Sequence, residues 1–110
     1  MAEEKDGFEA VASEDEVKEG ELLGVDVDGQ PVVLARVEGQ VYAMGGLCTH
    51  MHGPLAEGTL DRDVLECPVH RGHFNIRTGE AVKPPPREPE PVYDVKIEDG
   101  RIWVSRKPRG

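Results

Sequence analysis

The chain has 110 residues, 37% of them hydrophobic, which suits a single domain with one modest core rather than two. Its 22 acidic against 13 basic residues leave a formal net charge of −9. Phosphate backbones and anionic bilayers attract cations, so nucleic acid and membrane surfaces are excluded as partners, and no stretch approaches the ~18 apolar residues of a membrane span. The acidity fits either steering toward a basic protein partner or plain solubility.

The first residues, Met1 to Asp6, are acidic and lack the apolar run of a secretory signal, so a cytoplasmic location is expected. From Ser13 to Lys18 the pattern predicts one helical turn, with Ser13 as cap and Glu16 at the capping-box position. Strands are predicted at Leu22 to Val27, Pro31 to Val37 and Val41 to Met44. They are separated by Asp28-Gly29 and Glu38-Gly39, pairs that tolerate the positive φ of tight hairpins. Asp63 to Glu66 suits a further short strand. Near the end, Tyr93, Val95 and Ile97 alternate with Asp94 and Lys96, and Asp99-Gly100 turns the chain into Ile102, Trp103 and Val104. This is the period of an antiparallel hairpin with one buried face. Tyr93 and Trp103 are expected in the core or on a sheet face.

Between about residues 45 and 91 the rhythm breaks. Glycines and prolines crowd this stretch, and it holds all four histidines and both cysteines. The expectation is one all-β domain over residues 1–110, an antiparallel sandwich or barrel, with a loop-built subdomain at about 45–91 inserted in the scaffold.

The ligand candidates are Cys48-Thr49-His50 and Cys67-Pro68-Val69-His70. In an oxidising compartment the two cysteines suit one disulfide; in the cytosol they suit metal ligands or buried thiols. Thiolate with imidazole suits zinc or iron–sulfur chemistry rather than magnesium or calcium. Zinc ligands usually come as two cysteines first, with two or more residues inside each pair. Here the order is Cys-His then Cys-His, with one residue inside the first pair, which fits a two-metal site better. A zinc-stabilised interaction module remains the alternative.

Cys48-x-His50, sixteen intervening residues and Cys67-x-x-His70 resemble the signature of Rieske iron–sulfur proteins. The likeness extends to Leu47-Cys48-Thr49-His50 and Gly53-Pro54-Leu55 around the first pair. Around the second it takes in Phe74 and Thr78-Gly79, and Pro84-Pro85-Pro86 matches the family's proline-rich loop. The resemblance implies one [2Fe–2S] cluster, with Cys48 and Cys67 on the inner iron and His50 and His70 on the outer iron near solvent. Neutral imidazoles in place of two thiolates remove negative charge and raise the potential above that of an all-cysteine ferredoxin. High-potential members carry a serine and a tyrosine two and four residues after the second histidine; here those positions are Gly72 and Phe74. His52 and His73 fall on no family ligand position and are expected at the surface near the tip. Arg71 stands where glycine often follows the second histidine.

The implied function is electron transfer without substrate turnover. Ring-hydroxylating oxygenases need a second iron site, for which this chain has no spare motif, and no flavin- or nicotinamide-binding glycine motif is present. Respiratory Rieske proteins carry an anchor and an extra cysteine pair, both missing here. The resemblance therefore implies a small ferredoxin that takes electrons from a flavin-containing reductase and passes them to a terminal oxygenase. The alternative within the family is the small subunit of an assimilatory nitrite reductase, working with a reductase large subunit.

Overall fold

In the computed structural model the described residues are 4–5, 7–47, 54–68, 72–83 and 89–109. The strands are β1 (Glu4–Lys5), β2 (Phe8–Ser13), β3 (Leu22–Val27), β4 (Gln30–Val37), β5 (Gln40–Gly45), β6 (Thr59–Asp61), β7 (Val64–Glu66), β8 (His73–Asn75), β9 (Ala81–Lys83), β10 (Val92–Tyr93), β11 (Val95–Glu98) and β12 (Arg101–Ser105). Helical structure among the described residues is limited to two 3-10 turns, Glu14–Glu16 and Leu55–Glu57. The first is the turn expected after Ser13, whose backbone N–H donates to Glu16 Oε1 at 2.9 Å.

Among the described residues every strand pairing is antiparallel. Three four-stranded sheets result, in the orders β1-β2-β12-β11, β10-β5-β4-β3 and β6-β7-β8-β9. The expected hairpins form where turn chemistry permits. Asp28, Glu38 and Asp99 take φ of 51°, 51° and 53°, each followed by a glycine at positive φ, as a two-residue hairpin loop requires.

The second sheet is the middle layer. Val32 and Leu34 of β4 face a core shared with Val27, Val41, Ala43, Tyr93, Ile102 and Val104. Val33, Ala35 and Val37 of the same strand face a second core with Met44, Leu55, Leu65, Cys67, Phe74 and Ile76. A strand covered on both faces needs apolar residues in succession, which is why β4 reads as a run rather than an alternation. Tyr93 and Trp103 are both buried.

The chain leaves the middle sheet at Gly45 and rejoins it at β10, where Val92 pairs with Met44 and Tyr93 with Ala43. The whole third sheet is built during that excursion. Register carries its alternate residues to opposite faces. Leu60, Leu65, Phe74 and Ala81 pair across the sheet and pack on the second core, while Thr59, Glu66 and His73 form an outer row.

Candidate functional site

Of the four expected ligands, Cys67 lies among the described residues; Cys48, His50 and His70 lie outside them, as do His52, Arg71 and Pro84 to Pro86. What the structure describes is the frame that carries them.

The first loop is closed at its base. Gly46 N–H donates to Pro31 O at 3.0 Å, and Leu47 and Pro54 form an isolated antiparallel bridge. Leu55 N–H then donates to Gly46 O at 2.9 Å. Gly46 passes so close to β4 that a Cβ would stand 3.0 Å from Pro31 C and Val32 N. A side chain here would have to push that backbone aside by a few tenths of an ångström, so glycine suits the approach.

The second loop is a hairpin between β7 and β8. Past the Glu66–His73 pair, Cys67 N–H donates to Gly72 O at 2.8 Å, so the ladder runs up to the cysteine itself. Cys67 is fully buried, in one core with Leu55, Leu65 and Phe74. Leu55 is the second residue after the first loop, so this core brings the two loop bases together. Gly58, which follows the Leu55–Glu57 turn, lies against the Glu66 carbonyl.

His73 is not on an open tip. It sits in β8, its side chain 23% exposed, with Nε2 3.5 Å from Glu66 Oε1 across the ladder. A groove of about 500 Å³ beside it is lined by residues that include Asp61, Arg62, Asp63, Glu66 and His73. Among the described residues no group of three or more His, Cys, Asp or Glu side chains is placed to hold a metal ion.

Two features escaped the sequence reading. Arg77 ties the third sheet to the β4–β5 hairpin. Its guanidinium lies 3.5 Å from Glu38, 3.7 Å from Asp63 and 5.5 Å from the centre of the Tyr42 ring. Glu90, flanked by prolines, is 5% exposed. Its N–H donates to Gly79 O at 2.7 Å, and the next residue, Pro91, accepts from Gly45 N–H at 2.8 Å. Nearby, burial raises the pKa of Tyr93 above its ordinary 10.0, and the negative charge of Glu90 adds to the rise. Neither Glu90 nor Arg77 carries a sequence signal, because what a charged side chain packs against depends on strands distant in sequence.

Residues 7–97 match the Rieske [2Fe–2S] domain family, and the chain belongs to that family. Within it, the chain is an electron carrier of the ferredoxin type, similar to ferredoxin components rather than catalytic subunits. It is 42% identical over 98 residues to the ferredoxin component of the naphthalene 1,2-dioxygenase system of Pseudomonas putida, covering 89% of this chain and 93% of that one. It is 46% identical over 99 residues to the biphenyl dioxygenase ferredoxin subunit of Pseudomonas sp. strain KKS102, covering 89% and 91%. Among solved structures it resembles a chain from the complex of reduced oxygenase and oxidized ferredoxin in carbazole 1,9a-dioxygenase. There the TM-score is 0.89 at 34% identity, over 96% of this chain and 98% of that one. The all-β antiparallel fold and the [2Fe–2S] cofactor expected from the sequence accord with this membership.

Proposed function

We propose that Cys48, His50, Cys67 and His70 hold the [2Fe–2S] cluster, and that the chain carries single electrons from a flavin-containing reductase to a terminal ring-hydroxylating oxygenase. The observation that carries this reading is coverage. The chain spans 93% of a dioxygenase ferredoxin component and nearly all of a chain found in an oxygenase–ferredoxin complex.

The described frame fits the cluster. Cys67 presents a soft donor in a site closed to water, and its backbone is fixed by Gly72. Buried thiol and closed loop base are what a cluster ligand needs, since a preformed site lowers the ordering cost of binding. When bound, the cluster supplies one-electron chemistry at a potential set by its ligands and surroundings. The protein's own residues hold two loops at one core and shield the thiolate side.

One domain over residues 1–110, with residues of about 45–91 as its cluster-binding subdomain, is part of this reading. So is a cytoplasmic location, where thiols stay reduced and Cys48 and Cys67 remain available as thiolates. No helix among the described residues is long and apolar enough to cross a membrane. Reconstitution tests the whole reading. Reduced by a dioxygenase-type flavin reductase, the protein should support turnover by a cognate terminal oxygenase. Support of a nitrite reductase large subunit instead would overturn the assignment of partners.

A further inference from the structure

Beyond β12 the chain stays bound to the sandwich. Ser105 N–H donates to Asp94 O at 2.9 Å, and Asp94 N–H donates to Ser105 Oγ at 3.1 Å. Arg106 N–H donates to Gly7 O at 3.0 Å, and its guanidinium reaches Asp28 Oδ1, in the β3–β4 turn, at 3.0 Å. Three residues on, Arg109 N–H donates to Val92 O at 2.7 Å. Its Nε and Nη2 converge on Asp94 Oδ1 at 2.8 and 2.7 Å. Val92 belongs to β10, the end strand of the middle sheet and the place where the chain returns from the third sheet. β10 is two residues long, so its own ladder is short. On the β5 side Gly45 N–H donates to Pro91 O, and by the alternation of an antiparallel ladder the Val92 carbonyl faces the other way, where Arg109 supplies its donor. The Val92 side chain packs on the core that contains Cys67.

We propose that residues 106–109 form a strap that clamps the return strand β10, with Arg109 as a positioning residue that slows loss of the cluster. β10 must part from β5 before Val92 can leave the core beside Cys67, and each bond from the strap raises the free energy of that local opening. Arg109 and Asp94 are 57% and 56% exposed, so their ion pair alone is weak and the main-chain bond to Val92 carries a comparable share. The consequence for the cluster rests on the cluster reading; the clamping of β10 does not.

Hydrogen exchange of the holoprotein, resolved to single amides by mass spectrometry, reads the opening directly. Gly45 N–H is bound to Pro91 O at the return strand, and the neighbouring Gly46 N–H to Pro31 O on β4, so the two amides separate opening of β10 from loosening of the whole fold. Arg109→Gln should speed exchange at Gly45 about threefold, the scale of an exposed ion pair. Deletion of residues 108–110 also removes the main-chain bond and should speed it roughly tenfold. Gly46 should keep its native rate in both. Asp94→Asn should add nothing in the Arg109→Gln chain, since that pair is already broken. Cluster loss under chelator should accelerate in the same order as exchange at Gly45. Unchanged exchange at Gly45 in the deletion variant, or equal acceleration at Gly46, would overturn the strap. Faster exchange with unchanged cluster loss would overturn its role in holding the cluster. A native protein without a cluster would overturn the cluster reading itself, and exchange at Gly45 would still decide whether the strap clamps β10.

Discussion

The α-carbon of Gly58 lies directly against the carbonyl oxygen of Glu66, the residue before Cys67. Gly58 has φ of −81°, an ordinary value for any residue, so space rather than backbone conformation demands glycine here. Gly58→Ala must push β7 away from the Leu55–Glu57 turn, and β7 delivers Cys67. Overpacking of this kind typically costs about 1–3 kcal/mol. The variant should melt earlier and lose its cluster faster under chelator, whereas Gly29→Ala, with nothing near its α-carbon, should show only the strain of its positive φ. Thermal melts and chelator release rates check both.

Tyr93 should titrate late. Its neutral form is favoured in the folded state by burial and then by Glu90, so its folded pKa lies above the ordinary 10.0. The unfolded chain ionises first as pH rises. The stability contributed by this group is therefore complete below about pH 10 and falls as pH rises from there through the folded pKa. In a Tyr42→Phe background, tyrosinate absorbance should rise at higher pH than in the same chain unfolded, and Glu90→Gln should move the folded midpoint down.

The reduction potential follows from what surrounds Cys67. Gly72 uses its carbonyl to accept the Cys67 N–H, and Phe74 is fully buried in the core beside it. Neither supplies a hydroxyl to stabilise the reduced cluster. The expected value is near the lower end of the Rieske range, about −150 mV. Redox titration giving a value above about +100 mV would contradict this account of tuning.

Much of this was legible in the residues, and the failures have physical causes. The hairpins at Asp28-Gly29, Glu38-Gly39 and Asp99-Gly100 could be read because the turn residues themselves solve a local problem of backbone sign. The β4 run could be read as a strand but not as the central layer, since its faces are completed by distant residues, Leu65 and Phe74 on one side and Tyr93 and Ile102 on the other. β6, β8 and β9 are three residues each, too short to show a period, and hold together only as a sheet over Leu55, Leu65 and Phe74. β7 begins at Val64 rather than Asp63, because Arg62 takes φ of 59° and Asp63 completes the turn. The ligand pattern was carried by residue type, order and spacing. Cys67 has its burial described, and the other three positions fall outside the described residues. Glu90 and Arg77 were illegible, because what distinguishes them is packing from distant strands.

Docking to a redox partner should depend on salt. Electron-transfer encounters are small and transient, so charge steers them more than apolar area holds them. Glu57 and Asp61 are exposed beside the loop bases, while Asp63 has Arg77 at 3.7 Å and contributes less. With a net charge of −9, transfer to a partner with a basic patch should slow as salt rises, with screening over a Debye length of ~8 Å at physiological ionic strength. Stopped-flow rates across a salt series decide this. A flat or rising profile would assign recognition to the apolar rim, where Leu47 and Pro54 are exposed and Met51 and Pro85 lie outside the described residues.

The most direct test of the central claim is cofactor analysis of the purified chain beside four variants. The native protein should contain iron and acid-labile sulfide in equal amounts, two of each per chain for one [2Fe–2S] cluster, with a paramagnetic resonance signal only after reduction. Cys48→Ser and Cys67→Ser should lose the cluster, because a hydroxyl poorly replaces a soft thiolate. His52→Ala and His73→Ala should keep it. Stoichiometric zinc without sulfide, or a cluster that survives Cys67→Ser and disappears with His73→Ala, would contradict the account.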